Sequence, residues 1–294
     1  MKIIDCFMYY DEDMILDIRL NTLNEFVNKF IICEAKFNHN GTPKKLNFDP
    51  SKFKKFRDKI IYIVVEKLPD NLSEISKQDS EKEKRNKILD NALKRENFQR
   101  NFCFNELKNF SGEDLVLIND LDEIPNLEKF IYKSKISIFK QEMFYYKFNL
   151  KYPNYDWMGS KICKIKHLKS PQWLRNIKSK KYPLWRLDIL ADDKKFSNLE
   201  IIDNGGWHFT NIMSAEKIDH KMRNFLHHLE YEESGFDKFK LNKLIFEKKI
   251  MYDHSEDKKN ENKWKKGKSL VKINLNNLPE YINKNLSKFE EWID

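Results

Sequence analysis

Leu115-Val116-Leu117-Ile118-Asn119-Asp120-Leu121-Asp122-Glu123-Ile124-Pro125 decides how the rest of the chain is read. Four consecutive apolar, β-prone residues predict a fully buried strand. Three carboxylates follow at its C-terminal end, where open α/β sheets bind ligands. Asp120 and Asp122, two apart in an extended segment, can approach one hard cation from adjacent positions. Pro125 is expected to stop the strand and open a helix. Read blandly, Asp-Leu-Asp-Glu is a solvated turn, and the burial of the preceding strand weighs against that.

Two other chemistries use a similar pair. A phosphotransferase of the haloacid-dehalogenase type also places Asp-x-Asp after an apolar strand, with the motif near the N-terminus and Thr or Val where Ile124 stands. Here the motif lies mid-chain, and Asp192-Asp193 is the only adjacent Asp pair downstream. A metal-dependent nucleotidyltransferase is the other enzymatic alternative.

The 294 residues, 40% hydrophobic and 14% aromatic, describe a globular chain able to bury a large core. The formal charge of +9 suits an anionic substrate, an anionic membrane surface or nucleic acid. Lysine, asparagine and isoleucine are all abundant, so much of that charge is compositional, and a basic binding module has no motif of its own to support it. Apolar runs such as Ile60 to Val65 fall far short of the ~20 residues that span a bilayer. Asp5 and the acidic Asp11-Glu12-Asp13 argue against a signal peptide. Cys6, Cys33, Cys103 and Cys163 form no Cys-x-x-Cys pair, so reduced, buried thiols in a cytoplasmic protein are expected.

Along the chain, Ile3 to Tyr9 reads as a strand, a helix with apolar Leu16, Leu20, Leu23 and Val27 runs to about Asn28, and Lys29 to Glu34 is the next strand. This β-α-β opening predicts a parallel sheet with a right-handed crossover. Ile60 to Val65 is a third strand, and Glu66 to Lys84 a polar surface excursion. A long helix is predicted from roughly Arg85 to Lys108, with Leu89, Leu93, Glu96, Arg100, Cys103 and Leu107 on one face. Glu96 and Arg100 there form either a structural ion pair or a site in which Arg100 points at a phosphate.

After the acidic motif, Ile136 to Asn149 reads as one bent strand or two. Tyr152 to Gly159 reads as an aromatic loop, of the kind that packs on pyranose faces or plugs a core. Trp173, Trp185 and Arg186 continue the aromatic theme. Gly205-Gly206 permits a tight turn that presents Trp207 and His208, the latter a metal ligand, an acceptor contact or a structural residue. From Ser214 the chain is mostly helical, through His227-His228-Leu229-Glu230, whose spacing differs from that of zinc proteases. Asp253 to Lys268 is charged, and a last helix ends near Trp292.

Together these residues resemble glycosyltransferase family 17. The carriers are Asp17-Ile18-Arg19-Leu20-Asn21-Thr22-Leu23, Cys33-Glu34-Ala35-Lys36-Phe37 with Gly41-Thr42-Pro43-Lys44-Lys45-Leu46, Gln99-Arg100-Asn101, Asp120-Leu121-Asp122-Glu123-Ile124-Pro125 and Gly206-Trp207-His208-Phe209. The resemblance covers most of the chain up to about Glu230. It implies a GT-A-type, Rossmann-like α/β fold with a mostly parallel central sheet flanked by helices, in one domain over 1–294 whose part 214–294 is mainly helical. It also implies a nucleotide-sugar donor, with a UDP-sugar expected, Mn²⁺ or Mg²⁺, and inversion at the anomeric carbon during transfer of N-acetylglucosamine or a related hexose. The family's eukaryotic members carry a membrane anchor and act on secretory glycoproteins. This chain starts almost at its first strand, so a bacterial-type enzyme acting on a polysaccharide or lipid-linked saccharide is expected, cytoplasmic or peripheral at an anionic membrane and without nucleic acid.

In that reading Asp122 and His208 bind the cation, and Asp120 contacts the ribose or the metal. Glu34, Arg100, Asn101 and Asp120 serve the nucleotide. Glu230, Asp156 and Glu123 are the candidate bases for the acceptor hydroxyl. The family's histidine after the tryptophan motif matches either His227 or His228.

Overall fold

The computed structural model describes residues 1–182, 192–254 and 267–294. Trp185, Arg186 and most of the charged stretch 253–268 lie outside the described residues. The strands are β1 (Ile3–Met8), β2 (Lys29–Ala35), β3 (Ile60–Val65), β4 (Leu115–Ile118), β5 (Glu123–Pro125), β6 (Ile136–Tyr145), β7 (Leu150–Lys164), β8 (Leu199–Ile202), β9 (Gly206–Thr210) and β10 (Val271–Lys272). The helices are α1 (Asp13–Leu23), α2 (Glu81–Phe102), α3 (Phe104–Leu107), α4 (Pro171–Asn176), α5 (Ala215–Asn224), α6 (His228–Ser234), α7 (Lys238–Phe246) and α8 (Glu280–Lys284).

The opening follows the sequence closely. β1 pairs in parallel with β2 and β4, and β2 with β3. Helix α1 buries Leu16, Leu20 and Leu23 against this half-sheet, in one core with Phe30, Leu115 and Leu117. Helix α2 begins before Arg85 because Ser80 and Glu83 form a capping box. Its first half is turned from the expected face: Leu93 is exposed, and Asn91 is buried, exchanging two hydrogen bonds with the Ser73 backbone at 2.7 and 2.8 Å. The four cysteines are free and buried.

Beyond β4 the sheet is mixed rather than mostly parallel. Its order is β3-β2-β1-β4-β7-β6-β9-β5, with β10 on β7 and β8 on β6. The parallel run ends because β6 and β7 are joined by a short turn, and strands so joined pair antiparallel. β7 also runs antiparallel to β4, whereas β8 and β9 lie parallel to the two halves of β6. Tyr152 to Gly159, expected as a loop, is the first part of the 15-residue β7. Its register against β6 shifts twice, and the shift between Glu142 and Phe144, whose partners are Asp156 and Lys151, accommodates Pro153 and the left-handed Asn154.

Pro125 does not open a helix. It ends β5, an edge strand, where its missing N–H costs no ladder bond. The chain passes from β4 to β5, four strands apart in sheet order, through Asn119–Asp122 alone, with a turn from Glu123 N to Asp120 O at 3.1 Å. At roughly 4.8 Å per strand a flat sheet could not be bridged by so short and folded a link. The far half therefore curls back over the end of β4. Among the described residues after Ser214, α5, α6 and α7 precede the short β10 and α8, and the C-terminal segment returns to α1 through Tyr281 OH to Asp17 at 2.9 Å.

Candidate functional site

The ends of β1 and β4, the strand β9 and the helix α5 enclose a cleft of about 290 Å³. Asp120, Leu121 and Asp122 line it together with Trp157 and His208. Tyr9, Tyr10 and Glu12 come from the end of β1, His39, Glu96 and Gln99 from one side, and Lys221, Met222, Phe225 and His227 from the other.

The acidic segment is held from beneath by a buried ion pair. Arg19 of α1 donates through Nη2 and Nε to both oxygens of Asp5 on β1, at 2.7 and 2.8 Å, with neither side chain exposed. Its Nη1 lies 3.3, 3.1 and 2.7 Å from the carbonyls of Asp120, Leu121 and Glu123. Asn119 donates to the same Asp5 at 2.6 Å. One guanidinium thus fixes the path of the whole loop.

From above, two more arginines fix its side chains. Asp120 accepts from Arg100 at 2.9 Å with one oxygen and from Arg175 at 2.9 Å with the other. Burial works toward raising its pKa, but Arg175 and Arg100 hold the carboxyl well below the usual range. Arg100 also pairs with Glu96 at 2.8 Å and donates to Gln172. The ion pair with Glu96 read from the sequence is present, and the same guanidinium reaches past it to Asp120. Arg175 additionally grips Glu123 at 2.6 and 3.0 Å. It sits on α4, started by Pro171 and capped by Ser170, which accepts from Trp173 N at 3.1 Å.

His208 arrives by backbone pairing. In β9 it stands opposite Glu123, and Phe209 N donates to Asp122 O at 2.9 Å. The glycine before Trp207 is obligatory: Gly206 has φ +118°, and a Cβ there would lie 2.2 Å from the Ile124 carbonyl oxygen. The His208 ring lies 4.9 Å from that of Trp157, with Nε2 2.9 Å from Thr210 Oγ1 and 3.5 Å from Asp122 Oδ1. Among the described residues its buried Nδ1 has no hydrogen-bond partner. Against the effect of burial, His208 and Lys221 keep the Asp122 carboxyl below its ordinary pKa. Lys221, paired with Glu12 at 2.8 Å, is held above the usual lysine range by Glu12 and Asp122 despite its own burial.

Of the residues expected at the site, Asp120, Asp122 and His208 meet in the cleft, and Arg100 buttresses it. Glu34 does not line it: the carboxylate is fully buried and accepts from Lys44, Asn47 N, Phe48 N and Tyr62. Asn101 accepts from Gln172 N at 2.8 Å and so ties α2 to α4. Glu123 is fully buried on Arg175 and Trp157, a position suited to holding the loop rather than taking a proton from an acceptor. Asp156 is on β7, paired with Lys140 at 3.1 Å and away from the lining. Glu230 is not among the lining residues but bonds the lining His227 at Nδ1, 3.0 Å away, while His228 turns to the Phe225 carbonyl. Trp173 is buried and donates to Asp193 O, remote from the cleft.

Among the described residues no group of three or more His, Cys, Asp or Glu side chains is placed to hold a metal. Both oxygens of Asp120 accept from arginines. Asp122 and His208 remain, which suits an ion that takes one or two protein ligands and completes its shell with phosphate oxygens and water.

The model of glycosyltransferase family 17 matches residues 1–161 of this chain, more than half of it. The chain belongs to glycosyltransferase family 17. The matched part of the family fold runs from β1 into β7 and contains Asp5, Arg19, Arg100 and the acidic loop, but neither Arg175 nor His208. Curated relatives are the β-1,4-mannosyl-glycoprotein 4-β-N-acetylglucosaminyltransferases of Homo sapiens, Rattus norvegicus and Mus musculus. Each is 27% identical over 128 residues, 42% of this chain and 22% of the relative. The chain thus spans about a fifth of the length of the curated relatives it matches. Among the described residues no helix is long and apolar enough to cross a membrane.

Proposed function

We propose that this family 17 chain is an inverting glycosyltransferase of GT-A character. It moves N-acetylglucosamine or a related hexose from a UDP-sugar to a saccharide or lipid-linked saccharide on the cytoplasmic side of a membrane. The observation that carries the reading is the pairing of Asp122 with His208, 3.5 Å apart in a cleft walled by Lys221 and aromatic rings. The relatives' N-acetylglucosaminyl transfer supplies the expected sugar.

Asp122 and His208 would hold Mn²⁺ or Mg²⁺, which when bound neutralises charge on a leaving diphosphate. The charged Lys221 adds a second positive group at the same wall. Trp157, Tyr10 and Phe225 supply apolar faces for a base or a pyranose. Asp120, held by Arg100 and Arg175, positions Asp122 rather than touching the ion. Glu230, bonded to the lining residue His227, is the proposed acceptor of the hydroxyl proton.

Incubation with a panel of nucleotide sugars, Mn²⁺ and saccharide acceptors tests this. Release of nucleoside diphosphate that needs the divalent ion and is lost in Asp122→Asn is the expected result. Release of inorganic phosphate or nucleoside monophosphate instead would assign the acidic loop to phosphoryl or nucleotidyl chemistry.

A further inference from the structure

The described surface carries one helix whose outward face is both aromatic and basic. Helix α7 buries Leu241 and leaves Phe239 and Phe246 exposed by 73% and 88%. Seven residues apart, the two rings project from the same side. Lys243, 74% exposed, stands between them, and Lys238 and Lys240 flank them on either side. With Lys248 and Lys249 just beyond, the segment 236–249 carries five lysines against Asp237 and Glu247.

The acidic groups offset the face only in part, with fewer carboxylates than lysines. Asp237 caps the helix through Lys240 N at 2.8 Å, and Glu247 is shared by Lys249 at 3.0 Å and Lys243 at 3.9 Å. Lys248 is paired with Asp294 at 2.6 Å. The ammonium of Lys238 lies over the Phe239 ring at 5.3 Å, and that of Lys240 reaches the Gly235 carbonyl at 2.6 Å.

We propose that α7 is an interfacial docking helix that places Phe239 and Phe246 among the acyl chains of an anionic bilayer, with Lys238, Lys240 and Lys243 at the headgroups. Two bulky apolar rings centred between lysines are the pattern that lies in a membrane surface. A second copy of this chain fits the face less well. Like charges would oppose each other across a two-fold axis, and two rings supply little of the roughly 800 Å² per partner that a stable dimer buries. α7 packs on α5, which lines the cleft with Lys221 and Met222, so docking here brings the cleft to the bilayer surface. The inference does not depend on the transfer reaction.

Flotation of the full chain with phosphatidylcholine vesicles, with and without phosphatidylglycerol, tests it. The native chain should float with the anionic vesicles only, and less so as salt is raised. The double variant Phe239→Ser/Phe246→Ser should lower partitioning at least about tenfold, since inserting each ring contributes that much or more. Its melting temperature should not move, because neither ring is packed. Lys238→Glu/Lys243→Glu should weaken binding and flatten the salt dependence. Failure of the native chain to float with anionic vesicles would overturn the proposal. So would undiminished binding by the phenylalanine variant, or a native dimer in sedimentation that Phe246→Ser dissociates.

Discussion

Arg175 and Asp120, 55 residues apart in sequence, meet at 2.9 Å across the base of the cleft, and the same guanidinium closes on the buried Glu123. Removing it strands the buried Glu123 and leaves Asp120 with Arg100 alone. Arg175→Gln should cost on the order of 3–5 kcal/mol of stability, because Glu123 would remain buried without its cation. Arg175→Lys keeps the charge but loses the fork, and should recover only part of that. Denaturant unfolding of the two variants decides it, and equal stability of Arg175→Gln and the native chain would refute the organising role. Asp120 adds a pH dependence. Its folded pKa is depressed from 3.8, so its contribution is present above about pH 4 and is lost as pH falls through the folded value.

Arg19 and Asp5 form the deeper pair. Arg19→Met should destabilise by about 3–5 kcal/mol by leaving Asp5 charged and buried, whereas Arg19→Met with Asp5→Leu should cost much less. Both variants release three loop carbonyls, so both should weaken nucleotide-sugar binding measured by calorimetry. A double variant that binds normally would show that the loop keeps its path without the guanidinium.

His208→Ala should weaken Mn²⁺ binding roughly tenfold or more while leaving the fold intact, since the ring bonds only Thr210 and approaches Asp122. Asp122→Asn should do the same, and the pair together should be little worse than either alone, as expected for two ligands of one ion. Calorimetric titration with Mn²⁺ and nucleoside diphosphate measures all three. Unchanged metal affinity in His208→Ala would leave His208 a structural residue.

Lys161 supplies a prediction independent of the reaction. Buried beside Arg175, its amine is pushed down to about 7 from 10.5, and it donates to the carbonyls of Arg175 and Ile177 at 2.5 and 2.8 Å. Between those two pH values the unfolded chain holds a proton that the folded chain does not. Stability therefore rises with pH across this window, by at most about 1.4 kcal/mol per unit, and the burial penalty is full below it. Lys161→Met should remove that rise when urea midpoints are compared at pH 7 and pH 9. An unaltered pH slope would mean that the amine stays protonated in the fold.

Much of the first half was legible because its signals are local. Ile60 to Val65 is a strand at the bounds its β-branched run suggests, and β1-α1-β2 follows from helical spacing between two apolar runs. Gly205-Gly206 was legible as a tight turn that presents His208, whereas the close approach of Gly206 to the acidic strand opposite appears only in the fold. What stayed hidden was long-range. Nothing near Arg175 in sequence marks it as the partner of Asp120, and Lys221 lies among many lysines. Arg19 had a signal: it interrupts the apolar face of α1 three residues after Leu16, where a charge has to find a buried partner such as Asp5. Glu34 and Asn101 were read as nucleotide contacts and Glu123 as a candidate base because polar residues at strand ends and on helix faces look alike until their hydrogen bonds are known. Pro125 and Tyr152 to Gly159 misled because proline reads as a breaker, whereas an edge strand and a twice-shifted register absorb it.

The four-residue passage from β4 to β5 has a consequence for motion. Asp120 and Asp122 sit on the link that joins distant strands of one curled sheet, so the loop cannot swing away unless β5 parts from β9 and Arg19 gives up its carbonyls. The floor of the cleft therefore moves only with the fold as a whole. The wall from Lys221 to His227 is under no such tie to the sheet, since Phe225 in extended backbone ends α5 there before α6 begins.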